Sequence, residues 1–205
     1  MSCVDISERL REIKQSFRLM MNGVASQSMR EKGLDYKLNW GAPFTSLKEK
    51  AEEIGKDYDL SIALWKEDIR ECKILATLIM PSDRILPDVV DIWMEQTHSL
   101  EIAEMASFNL YQYLPYASEK AFQWMASSQE IPQVCAYHVL SRLFMRMMAP
   151  NERSDNEYLD QVQTALKSEY FSVRKAAFAS LNKYMDLGQE YEERGRKVLI
   201  LNSND

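Results

Sequence analysis

The chain of 205 residues carries 25 Lys and Arg against 31 Asp and Glu, a formal net charge of −6, and is 46% hydrophobic and 27% charged. That balance excludes a disordered tail and is sufficient for one folded domain spanning the length, while the negative charge restricts any polyanion-binding surface to a local basic face. Cys3, Cys72 and Cys135 are odd in number and far apart, with no Cys-x-x-Cys pair, so neither a disulfide framework nor a zinc site is expected.

Six Gly and 6 Pro in the chain, set against 12 Met and abundant Ala, Leu, Lys and Glu, favour helices over strands. The N-terminus is charged from Asp5 onward and has no apolar leader core, and no apolar run reaches the roughly 18 residues of a membrane span. A cytoplasmic protein with no membrane partner is expected. Ile6, Leu10, Ile13, Phe17, Met20 and Met21 recur at helical spacing and predict an N-terminal capping helix within about residues 1–33.

Helical segments then follow in two alternating kinds. One kind carries a tryptophan: Leu60 to Trp65, Val89 to Met94 around Trp93, and Ala121 to Met125 around Trp124. The other carries a central alanine: Arg70 to Met80 around Ala76, Leu100 to Leu110 around Ala106, Gln133 to Leu140 around Ala136, and Ser172 to Leu181 around Ala176. Prolines in Pro81-Ser-Asp, Leu114-Pro-Tyr-Ala and Ala149-Pro-Asn separate them, each lacking an N–H donor. Tyr158, Leu159, Val162 and Leu166 mark a further helix, and a last one runs from Gly188 and frays towards Asp205.

Central alanines recurring about every 30 to 40 residues, interleaved with the tryptophan helices, are the unit of HEAT-type arrays, in which small residues let one helix approach the next. The expected fold is all-α, a HEAT-like α-α superhelix: a short solenoid of antiparallel helix pairs in one domain, residues 1–205. At least ten helices and no sheet are predicted. Trp65, Trp93 and Trp124, spaced 28 and 31 residues apart, should share a layer of successive pairs. Taken singly, each of these tryptophans and alanines reads as core.

One stretch is more specific. Trp40-Gly-Ala-Pro-Phe-Thr-Ser-Leu47, then Ala51, then Asp59 through Leu64-Trp65 and Glu71 to Ala76, resembles the opening of the DNA alkylation repair enzyme family, the HEAT-like repeat alkylpurine DNA glycosylases. The likeness continues at Leu100-Glu-Ile-Ala-Glu104 and at Ser172-Val-Arg-Lys-Ala-Ala-Phe-Ala-Ser-Leu181, covering about residues 36 to 185. It implies hydrolysis of the N-glycosidic bond of N3- or N7-alkylated purines in duplex DNA, without a metal or organic cofactor. An alkylated purine is already a good leaving group. Such a site must therefore stabilise positive charge on the sugar and position a water, tasks for a carboxylate beside aromatic walls.

The chain departs from the family at that site. Where the family reads Trp, acid, any, aliphatic, Asp, this chain has Leu100-Glu101-Ile102-Ala103-Glu104. Glu104 keeps the carboxylate, one methylene longer, and Glu101 is second in line. Val134 aligns with a family Arg and Ala179 with a second functional Trp, so three of four positions do not match.

Arg174 and Lys175 match the basic pair of the family's last repeat and are candidates for phosphate contact. Arg142 and Arg146, one turn apart, would extend that strip. The competing reading is a solvated or capping glutamate for Glu104 and an ordinary solvated helix face for the cations. His98, near the start of the Leu100 helix, is placed to line the concave surface, whereas His138 reads as a hydrogen-bonded core residue.

Two functions follow from this. One is a weak or catalytically degenerate glycosylase holding duplex DNA against the concave face; the other is a non-catalytic HEAT-like module binding nucleic acid or a protein partner.

Overall fold

The computed structural model describes residues 6–34 and 36–203, so the first five residues of the expected N-terminal cap and the expected frayed end at Asn204 and Asp205 lie outside the described residues. Twelve α-helices and two short 3-10 turns make up the described residues, which contain no strand; Leu38 and Ile69 form one isolated bridge. Expectations of at least ten helices and no sheet are met. The chain divides into two compact units, Met1–Leu110 and Tyr111–Asp205.

Unit one contains α1 (Ile6–Phe17), α2 (Gly23–Glu31), α3 (Phe44–Ile54), α4 (Tyr58–Trp65), α5 (Arg70–Ile79), α6 (Pro87–Glu95) and α7 (Leu100–Asn109). Its centre is α5, which packs against α3, α4 and α7. Cys72, Ile74, Leu75, Ala76 and Ile79 of that helix are fully buried. Ala76 is one of the predicted central alanines, and its small side chain permits the close approach. Burial pushes the Cys72 thiol up to about 12, which keeps it unreactive.

Trp65 and Trp93, on α4 and α6, stack with ring centroids 4.1 Å apart and planes 3° from parallel. Lys73 covers the other face of Trp65, its Nζ 4.6 Å from the ring centroid, and the indole N–H donates to Gln96 Oε1 at 3.0 Å. The spacing of 28 residues therefore does place these two rings in one layer. Trp124 lies in the second unit, tilted against Tyr111 at 5.1 Å.

The segment between α2 and α3 is docked on α2 through its own carbonyls. Asn22 N–H donates to Trp40 O at 2.9 Å, and Ser26 Oγ donates to Asn39 O at 2.7 Å. Gly41 sits at φ +68°, where a Cβ would lie 2.3 Å from Asn22 O and 2.7 Å from Ser26 N. A side chain there is excluded by conformation and by space.

Unit two contains α8 (Ala117–Met125), α9 (Glu130–Met145), α10 (Glu152–Ala165), α11 (Phe171–Met185) and α12 (Gln189–Ser203). Long α9 is its spine, packed on α8 and α11. Phe144, Tyr158 and Tyr184 form an aromatic cluster with centroids 5.1 to 5.7 Å apart, and the Tyr158 hydroxyl meets Ser180 Oγ at 2.9 Å. Buried Asp155 on α10 pairs with Arg194 on α12, joining the last helix to the core.

Replacing Trp93 by alanine removes one partner of the stacked pair and should cost about 3–5 kcal/mol in urea unfolding. Trp93→Phe should cost clearly less.

Asp57 generates a second prediction. Its Oδ1 caps α4 by accepting from Leu60 N–H at 3.0 Å, and its Oδ2 accepts from Arg9 at 2.6 Å. Burial acts to raise its pKa, but the Leu60 bond and the Arg9 guanidinium outweigh burial and hold the carboxyl below its ordinary value. Because the folded pKa is depressed, this stabilisation is present above the unfolded value and is lost as pH falls through the folded one. Asp57→Ala should cost about 1–2 kcal/mol at neutral pH, and the gap to the parent protein should close in acid-titrated unfolding below about pH 4.

Candidate nucleic-acid interface

Ser99 caps α7, accepting from Ile102 N–H at 3.2 Å, and so places Glu101 in the first turn, where the helix dipole favours a carboxylate. Both Glu101 oxygens face Arg70. Arg70 Nε donates to them at 3.0 and 2.9 Å and Nη2 donates to Oε1 at 2.6 Å. Arg70 is 5% exposed and Glu71, beside it, is 0% exposed. Glu71 accepts from Arg70 Nη1, Trp40 N–H and Ala42 N–H, each at 3.2 Å, while Arg70 Nη1 also donates to Ala42 O at 3.1 Å.

Tyr36 completes the group. Its hydroxyl lies 2.7 Å from Ser99 Oγ and donates to Glu101 Oε2 at 3.3 Å. Burial pushes the phenol pKa up and outweighs the Ser99 bond, and the Glu101 charge adds to the rise, so Tyr36 stays a proton donor. Glu101 is thus occupied in neutralising a buried cation. A carboxylate that stabilises sugar charge must instead face its substrate, and of the two predicted carboxylates Glu104 is the exposed one.

A cavity of about 920 Å³ opens beside this network, bordered by Lys32, Lys66, Lys73, Tyr36, His98 and Leu100. Among the described lining residues Asp68 is the acid, set against three lysines, so those residues are positive on balance. Burial lowers the Lys73 pKa and Asp68 opposes that shift; the Lys73 ammonium donates to Trp65 O at 2.9 Å. Trp65 also borders the cavity, yet it is 1% exposed and both ring faces are covered, so no base can stack on it. The cavity suits an anion better than an aromatic ligand.

The predicted cations fall in the second unit, on α9, just past its end, and on α11. Arg174 is half-buried, with Nη1 donating to the carbonyls of Ser168 and Glu169, the latter at 3.0 Å. Its guanidinium lies 5.6 Å from the Phe171 ring centroid. Lys175 is exposed. Arg142 is half-buried, 3.8 Å from Met145 Sδ, whereas Arg146, just past the end of α9, donates to Gln112 O and lies over the Tyr113 ring at 5.4 Å.

Val134, aligned with an arginine of the family, is 1% exposed in the core of α9, and Ala179 is exposed on α11. His98 is exposed on the cavity rim and His138 is half-buried on α9. Sequence reasoning missed the Tyr36, Arg70 and Glu71 network and the exposed rings Phe171 and Phe178. The rings had a signal: Phe171, Arg174, Lys175 and Phe178 fall at i, i+3, i+4 and i+7 of one helix.

No family model matches the sequence, and no curated protein sequence matches it. Among solved structures the fold is similar to one described as a new family of proteins related to the HEAT-like repeat DNA glycosylases with affinity for branched DNA structures. The match has a TM-score of 0.82 at 14% identity and covers 92% of this chain and 81% of that one. The chain therefore has the HEAT-like repeat fold that its alternating helices predict. Among the described residues, no helix is long and apolar enough to cross a membrane.

The Arg70 network predicts unequal costs for its members. Arg70→Leu strands the fully buried Glu71 carboxylate and should cost about 3–5 kcal/mol in urea unfolding. Glu101→Gln should cost less, because Glu71 still neutralises the guanidinium and the amide oxygen still accepts one bond.

Proposed function

We propose that this protein is a DNA-binding HEAT-like repeat protein in which glycosylase chemistry on N3- and N7-alkylated purines is weak or lost. The observation that carries the reading is the fold shared with a structure described as having affinity for branched DNA. Local charge supports it: within a chain of net charge −6, α11 has Arg174, Lys175 and Lys183 and no acid. Phosphate neutralisation needs such a local concentration of cations.

The reading of catalysis rests on the side chains. Glu104 is the candidate for stabilising sugar charge, but Leu100 and Ala179 offer no π-face and Val134 is buried and uncharged. Each missing aromatic or ionic contact is worth about 1–3 kcal/mol, and every 1.36 kcal/mol is about tenfold in rate. Three independent losses, about 3–9 kcal/mol together, therefore amount to roughly a hundredfold or more. A second reading, a protein-binding module, draws support from Met145, Met147 and Met148, all more than half exposed, since methionine surfaces adapt to varied partners.

Two measurements test the proposal. Fluorescence anisotropy should show binding to branched DNA that weakens steeply with salt, and the Arg174→Ala, Lys175→Ala double variant should bind less tightly with a shallower salt slope. No binding at low salt would favour the protein-binding module. Duplex DNA containing 7-methylguanine should release base feebly or not at all, and any release should vanish in Glu104→Gln. Robust release that survives Glu104→Gln would assign the chemistry to another residue.

A further inference from the structure

Helix α11 turns Val173, Ala176, Ala177, Ser180, Leu181 and Tyr184 inward and buries them. Two large rings on the same helix are left outside the core: Phe171 is 71% exposed and Phe178 is 50% exposed. They lie seven residues apart, so they share a face about 10 Å apart along the axis, close to three base-stacking rises. Lys175 stands between them on that face and Arg174 on its flank. Arg174 does not swing freely, because the carbonyls of Ser168 and Glu169 hold its guanidinium beside the Phe171 ring. Lys183, further along, is paired with Asp186 at 2.9 Å, so the positive charge of the face is centred between the two rings.

Exposed phenylalanines alone would fit an apolar protein surface. Lys175 between them opposes that occupant, since lysine is depleted at protein interfaces and an ammonium must be desolvated there. Cations alone would fit a duplex backbone, but phenylalanine has no hydrogen bond to offer a phosphate. Rings and cations on one face match unpaired nucleotides, whose bases present π-faces and whose phosphates carry charge.

We propose that the outward face of α11 is a stacking platform for the unpaired bases of branched DNA, with Phe171 and Phe178 meeting the bases and Lys175 and Arg174 the adjoining phosphates. This rests on the DNA-binding reading above and names the part of the DNA that α11 takes.

The test compares a forked DNA having two unpaired arms with a blunt duplex of the same paired sequence, using anisotropy at fixed salt and 2-aminopurine fluorescence in one arm. The parent protein should bind the fork more tightly than the duplex and quench the 2-aminopurine. Phe171→Ala with Phe178→Ala should lose about tenfold or more on the fork, with little change on the duplex and an unchanged melting temperature. A paired Phe→Tyr variant should keep fork binding and a paired Phe→Leu variant should lose it, which separates ring stacking from apolar contact. Equal fork affinity in the alanine variant and the parent overturns the proposal and leaves the face to a protein partner. Retention of fork binding by the leucine variant also overturns it. Parent protein that binds duplex and fork alike overturns the stacking platform and keeps the DNA-binding reading, whereas no binding to either DNA overturns both.

Discussion

A guanidinium removed from water must be neutralised where it lies, and the first unit is arranged around that requirement. Arg70 lies between Glu71, on its own helix, and Glu101, at the start of α7. Neither partner is there as an isolated pair: Glu71 also holds two backbone N–H groups of the 40–42 segment, and Glu101 also accepts from Tyr36. Desolvating three charges is expensive, and the hydrogen bonds to the remaining lone pairs make the arrangement tenable. One charge thereby ties the α2–α3 connection to two helix starts. It also withdraws Glu101 from any ligand, because a carboxylate held by Arg70 cannot turn to one.

The second unit meets the same need for a stable interior with aromatic rings. Phe144, Tyr158, Tyr184 and Tyr191 pack edge to face across α9, α10, α11 and α12, and the Asp155 pair with Arg194 joins α10 to α12. Since this interior is filled by rings already on the inner faces, Phe171 and Phe178 have no place in it. Their exposure is a property of the packing and not of a loose helix. A protein without metal-ligand clusters among its described residues can still offer specific chemistry through such surfaces.

The sequence was most legible where one residue type recurs. Ala76, Ala106, Ala136 and Ala176 are all buried at helix contacts, as their spacing requires, and Trp65 and Trp93 stack as neighbours in one layer. Prolines at 81, 115 and 150 fall between helices. The Arg70 pair with Glu101 was not legible, because charged residues in the first turn of a helix ordinarily read as solvated caps and the partners are 31 residues apart in the chain. Nor was the exposure of Phe171 and Phe178 legible. Helical periodicity shows that they share a face but not whether another helix covers it. Arg142 and Arg146 are adjacent on a helical wheel, but a wheel does not show where a helix stops: α9 ends between them, and Arg146 is turned to Gln112 and Tyr113.

Gly41 bears on how this chain can drift. In the contact it permits, the Trp40 and Asn39 carbonyls accept from the Asn22 N–H and from the Ser26 hydroxyl. Substitution at Trp40 leaves its carbonyl in place, whereas the junction needs the Ser26 hydroxyl and the Glu71 carboxylate that holds the N–H groups of residues 40 and 42. Position 41 is stricter still, because any β-carbon there collides with the Asn22 carbonyl. Distant descendants of this sequence can therefore change much around the junction and still build it, provided that the few polar side chains gripping its backbone are kept and that one residue continues to have none.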